Sequence, residues 1–250
     1  MPRVDHTVYK RYTTAEGRFY TDGESVYPSV TTVLSQDGEP QGVTAWKERN
    51  DGKGGNPYWR DILEYKSARG TLIHYKCLNQ FADVELWGEN EYSATSNLQA
   101  SKSLTRFMRE RSFATETFEA VAERRGITSD SVIDVEQFCV NPEVGYAGQF
   151  DLLYENVDGQ VTLADMKTGK SVYPKYKYQL AAYANAIDVD VDRVEVIRIN
   201  PDNHDHEVSS SDQWDLSIDR LFADFVLKRL DMGDDAELRE RVLSEGVNDG

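Results

Sequence analysis

The chain has 250 residues, enough to bury a sizeable core as one domain with elaborations. Its formal net charge of −16 excludes a broadly basic surface that holds polyanions by charge alone, so phosphate contacts would have to be concentrated in local basic runs. No apolar run approaches the roughly 20 residues that cross a membrane, and the opening Met1-Pro2-Arg3-Val4-Asp5-His6 lacks the apolar stretch of a secretory leader. A cytoplasmic or other intracellular setting without membrane contact is expected. Cys77 and Cys139 read as buried thiols in a reducing compartment.

In chain order, residues 7–13 and 17–21 read as a hairpin turning at Ala15-Glu16-Gly17, and Ser29 caps a short helix through Leu34. Segments 36–41 and 51–57 read as glycine-rich loops. Residues 58–81 carry a helical spacing that includes His74, Leu78 and Phe81, and a second long helix is predicted over 97–125, stopped by Gly126. Strands follow at 133–140, 145–154 and 161–167, the last two joined by a polar turn with an Asp158-Gly159 step. A helix over 176–187, a strand over 193–200 ended by Pro201, a strand edge at 208–210 and a helix over 214–230 come next. From Gly233 the chain is charge-dense and reads as a short helix with a frayed tail. The expected division is an N-terminal hairpin and loop elaboration over 1–57, a core over 58–232 and an acidic C-terminal tail over 233–250.

The chemistry-bearing residues gather on the predicted hairpin. Asp165 and Lys167 share one face of a strand, roughly 7 Å apart along it, because side chains alternate with period two. Antiparallel pairing through the turn would bring Asp151 towards Asp165. Two acids buried together are costly unless a cation neutralises them, and hard oxygen ligands suit Mg²⁺ or Mn²⁺. Thr168-Gly169-Lys170-Ser171 matches the end of a phosphate-binding P-loop, but that motif needs a glycine where Ala164 stands, so no nucleotide cofactor is expected.

Several segments in register resemble the PD-(D/E)XK nuclease superfamily. They are Tyr27-Pro28-Ser29-Val30-Thr31 with Trp46-Lys47, Arg69-Gly70-Thr71 leading to His74, Glu136, Gly148 to Asp151, Asp165 to Gly169, and Gln179 with Tyr183. The likeness is to its RecB-like exonuclease branch, similar to the mitochondrial genome maintenance exonuclease and phage or viral relatives, and covers roughly residues 27–187. It implies a mixed α/β, restriction-endonuclease-like αβββαβ core with an N-terminal hairpin and added helices. It implies catalytic roles for Asp151, Asp165 and Lys167, the lysine orienting or deprotonating water or stabilising phosphate charge. Metal ligands would be His74, Glu136, Asp151, Asp165 and the Met166 carbonyl, holding Mg²⁺ or Mn²⁺. Gln179 and Tyr183 would support the lysine or touch substrate, with core packing an equal reading for Tyr183. Lys170, Thr168, Arg69 and Thr71 are the further substrate-binding candidates.

The implied reaction is hydrolysis of DNA phosphodiester bonds. An exonuclease on single-stranded ends or flaps is expected, serving replication, repair or recombination with proteins of those processes as partners. A structure-specific endonuclease and a non-catalytic nucleic-acid-binding module on the same fold are the alternatives. Some relatives clamp an iron–sulfur cluster with four cysteines; two cannot, so none is expected. Basic residues cluster at Lys66 to Arg69, over 102–111, at Arg124-Arg125 and over 167–177. The acids are weighted to aspartate and arginines outnumber lysines, which suggests a halophilic archaeon or its virus.

Overall fold

The computed structural model describes residues 9–39, 41–54, 58–82, 104–245 and 247–248. Residues 7–8 of the predicted hairpin, 40 and 55–57 of the predicted loops, 97–103 of the second long helix, and 246 and 249–250 of the tail lie outside that set.

A five-stranded mixed sheet forms the centre, in the order β4-β5-β6-β7-β8. Its strands are β4 (Val132–Asn141), β5 (Tyr146–Glu155), β6 (Val161–Lys167), β7 (Arg193–Asn200) and β8 (Asp205–Ser210). Only β6 and β7 pair in parallel, and the crossover between them carries the helix α5 (Pro174–Ala184). The parallel pair is covered on both faces, as parallel strands are, so β7 is buried over seven of its eight residues.

Alternation sorts the sheet residues onto two cores. Leu152, Tyr154, Ala164, Met166, Ile197 and Ile199 pack against helices α3 (Trp59–Leu78) and α4 (Leu104–Arg125) through Leu72, Ile73, Phe107 and Phe118. Leu153, Leu163, Val194 and Val196 face Leu180 on α5 and Phe225 on α6 (Ile218–Leu230). Along β5 the even-numbered residues change sides near Asp151. Tyr146 and Phe150 join the α5 core, whereas Leu152 and Tyr154 join the α3 core. Helices before the hairpin, three antiparallel-linked strands, a helix and a parallel strand give the expected αβββαβ order.

A smaller sheet, ordered β3-β2-β1-β9, is built from Lys10–Thr14, Gly17–Thr21, Val26–Pro28 and Val247–Asn248 as β1, β2, β3 and β9. Ser29 caps the short helix α1 (Val30–Val33), its hydroxyl accepting the Thr32 N–H at 3.1 Å. Phe19, Val26, Val30 and Val33 sit in the same core as Leu163 and Phe225. The C-terminal segment carries α7 (Asp235–Glu245), whose Leu238 and Val242 are buried in that core.

Local differences from the sequence reading have identifiable causes. Helix α2 (Gln41–Arg49) was not anticipated; none of its residues is buried, so it carries no apolar stripe to reveal it. Helix α6 starts at Ile218 rather than at 214, because the Ser217 hydroxyl accepts the Arg220 N–H and caps it there. Helix α5 starts at Pro174, whose ring suits the first helical turn. β8 begins at Asp205 because pairing with β7 extends to Asn200↔Asp205, although its outer residues are charged.

Candidate active site

Asp151, Asp165 and Lys167 meet where β5 separates from β6. The paired register between these strands runs from Glu155↔Val161 to Leu152↔Ala164. One step further would set Asp151 across from Asp165. There the Asp151 side chain takes over: its Oδ2 accepts the Met166 backbone N–H at 2.7 Å. The carboxylate satisfies a strand donor and is thereby fixed in place.

β4 supplies another acid. Glu136 lies between the pairs Val135↔Leu152 and Gln137↔Phe150, across from Asp151. Its φ is +50°, in the left-handed region that a residue with a Cβ seldom adopts. Helix α3 brings His74 against the same point, with Nδ1 3.7 Å from Asp151 Oδ2. The helix can lie this close because Gly70, one turn earlier, faces Thr168; a Cβ there would stand 3.3 Å from Thr168 Oγ1. One ligand atom from each of His74, Glu136 and Asp151 lies within 4.8 Å of the others. On the other side, Lys167 Nζ stands 2.5 Å from Asp165 Oδ2 and 5.1 Å from the centre of the Tyr176 ring.

The electrostatics follow from burying these groups together. Burial and the Lys167 charge push His74 down to about 4, so its imidazole is neutral and has a lone pair to donate. Burial, with the Asp151 charge, raises Asp165 to about 6 against the opposing pull of Lys167. Asp151 is raised by burial, and Glu136 by burial and by the charges of Asp151 and Asp165. For Lys167, burial disfavours the ammonium, but Asp165 and Asp151 outweigh it and the pKa rises. Acids held above their usual range beside a neutral imidazole are groups whose charged forms a bound cation would favour. Hard carboxylate oxygens with one histidine fit a divalent ion of the Mg²⁺ or Mn²⁺ class.

The remaining expected residues divide between the site and its scaffold. Gln179 and Tyr183 are both buried, with Gln179 Nε2 donating to Tyr183 Oη at 2.9 Å. Tyr183 lies over Gly148; a Cβ at that glycine would stand 2.4 Å from Tyr183 Cε1. Gly148→Ala is therefore expected to cost about 1–3 kcal/mol through overpacking, read as a lowered melting temperature. Lys170 is exposed in the loop after β6, and Thr168 sits half-buried in it. Thr71 spends its hydroxyl on the Ser67 carbonyl of its own helix, at 3.2 Å.

Arg69 was expected at the substrate, but its side chain is 1% exposed and its NH1 is held by Glu110 Oε2 at 2.8 Å and Asp202 Oδ1 at 2.7 Å. The same guanidinium donates to the Thr168 carbonyl at 3.4 Å, tying α3, α4, the β7–β8 turn and the loop after β6 together. Tyr176 and Gln149 were not anticipated at the site. Tyr176 had one legible signal: it lies in the segment from Met166 to Ile187, which has four lysines and no acid.

A family model for the PD-(D/E)XK nuclease superfamily matches residues 54–242, which takes in His74, Glu136, Asp151, Asp165 and Lys167. The chain belongs to the PD-(D/E)XK nuclease superfamily. Membership makes it a metal-dependent nuclease with a nucleic-acid substrate. A solved structure titled "Crystal structure of SSO0001" is similar at 15% identity, covering 66% of this chain and 74% of that one, with a TM-score of 0.32. No curated protein is similar enough to count as a match. Among the described residues no helix is long and apolar enough to cross a membrane.

The raised acids give the nuclease a pH signature. An Asp165 that titrates near 6 when folded and about 3.9 when unfolded makes the folded chain bind the proton more tightly. Its contribution to stability is thus present below about pH 4 and lost as pH rises through about 6. A divalent cation removes that penalty by favouring the charged forms. Mn²⁺ is expected to raise the melting temperature more at pH 7.5 than at pH 5, each against a chelator control. An equal shift at both values would exclude these acids as ligands.

Proposed function

We propose that the nuclease is a Mg²⁺- or Mn²⁺-dependent deoxyribonuclease of the RecB-like branch, acting as an exonuclease on single-stranded ends or flaps during replication, repair or recombination. The observation that carries this reading is the grouping of His74, Glu136 and Asp151 beside the Asp165–Lys167 pair. In it, His74, Glu136, Asp151, Asp165 and the Met166 carbonyl hold the metal, which supplies Lewis-acid stabilisation of charge on the phosphate. Lys167 orients the attacking water or steadies the phosphate, and Gln179 and Tyr183 keep the floor of the site in place.

Two features beside the lysine support an unpaired strand as substrate. Tyr173 is 45% exposed and packs edge-on against Tyr176 with ring centres 5.7 Å apart, leaving an aromatic surface on which a base can stack. Lys170 and Lys175 are exposed on the same segment and can meet the phosphates on either side. The aspartate-weighted composition fits a host or virus living in high salt, where stacking and metal contacts persist while ionic contacts weaken.

End-labelled single-stranded and duplex linear DNA, compared with covalently closed circles in Mg²⁺, Mn²⁺ or chelator, tests the reading. Release of short products from single strands only, abolished by chelator, is expected. Cleavage of closed circles would replace the exonuclease reading with the endonuclease one, and chelator-resistant cleavage would remove the metal from it.

A further inference from the structure

We infer that Gln149 is a positioning residue for the metal centre, acting through Glu136. The inference rests on the metal centre proposed above. Gln149 sits in β5 across from Phe138, with its side chain on the exposed side of the strand while Gly148 and Phe150 are buried. From there a single amide group reaches diagonally to one residue twice. Gln149 Nε2 donates to the Glu136 backbone carbonyl at 3.1 Å and to Glu136 Oε2 at 2.9 Å.

Those bonds fall on a residue that needs holding. Among the described residues only Glu136 and His204 combine a side chain with a left-handed φ. Such a conformation persists where its surroundings over-determine it. A bond to the carbonyl constrains the backbone of Glu136, and a bond to the carboxylate constrains its side chain. Together they fix the carboxylate, one oxygen of which lies in the cluster with His74 and Asp151. Without Gln149, Glu136 could relax towards ordinary strand geometry, where period-two alternation would carry its carboxylate elsewhere.

Groups that orient metal ligands in this way are typically worth about 10–100-fold in metal affinity. Gln149 is exposed, so its removal does not disturb a core.

The experiment is a calorimetric Mn²⁺ titration of the full chain without nucleic acid, on wild type, Gln149→Ala, Glu136→Gln, the double variant of those two, and Asp151→Asn. Gln149→Ala is expected to weaken Mn²⁺ binding by about 10-fold or more, with an unchanged circular dichroism spectrum and melting temperature in chelator. In the Glu136→Gln background the second substitution should add nothing, because the two act as one unit. Wild-type affinity in Gln149→Ala, or a further loss in the double variant, overturns the inference while leaving the centre intact. Mn²⁺ affinity unmoved by both Glu136→Gln and Asp151→Asn overturns the proposed centre itself, and Gln149's role with it.

Discussion

Lys167→Ala is expected to lower the cleavage rate by about 10³-fold, within the range attributed to a positioned proton-transfer or charge-stabilising group, while the chain still folds. Among the described residues the Lys167 ammonium is the cation set against three raised acids: it is 2.5 Å from Asp165 Oδ2 and lowers the pKa of Asp151, Asp165 and Glu136. Its loss removes the group proposed to face water and phosphate, together with the positive charge beside the three acids. Asp165→Asn keeps the volume and removes the carboxylate, and should be as severe on rate. Single-turnover cleavage at saturating Mn²⁺, beside a melting curve for each variant, separates chemistry from folding. Activity within a few-fold of wild type in either folded variant would falsify the assignment of the centre.

Arg69→Ala is expected to cost about 3–5 kcal/mol of stability, the usual result of removing one partner from a buried ion pair. For a chain of this size that corresponds to a fall in melting temperature of about 10 °C. The guanidinium is buried between Glu110 and Asp202, and Glu110 also accepts from Tyr65 at 2.7 Å and from Arg106 at 2.6 Å. Burial pushes the Glu110 carboxyl up, but these donors outweigh it and hold it below its usual range. Without Arg69, Asp202 keeps Arg106 and the more distant Lys66, while the loop after β6 loses its tie at Thr168. The alternative, direct substrate contact, predicts the reverse: normal stability and a raised KM for DNA. Calorimetry and steady-state kinetics on one variant therefore distinguish scaffold from substrate contact.

The contrast between Arg69 and Lys167 explains what could be read early. Both are basic residues in motifs that resemble those of the same superfamily. Lys167 stands two residues from Asp165 on a strand, so period-two alternation alone puts them on one face. Nothing local distinguishes Arg69 from a phosphate-binding arginine. Its partners are 41 and 133 residues away along the chain, and only the packing of α4 and the β7–β8 turn brings them in. Tyr183 shows the same limit. Its spacing from Gln179 was legible as one helical face, but its seat over Gly148, which gives that glycine a steric reason, depends on how α5 lies against β5.

The αβββαβ order of the core, the hairpin bearing the two aspartates, the lysine beside them and the divalent-metal chemistry were determined by the sequence itself. They follow from alternation, turn residues and the cost of burying like charges, all of which act over a few residues. The tertiary structure alone decided that β5 parts from β6 at Asp151, that Glu136 turns left-handed under two bonds from Gln149, and that Tyr176 lies beside the ammonium. Those features come from close approach between distant segments, and only packing sets such distances.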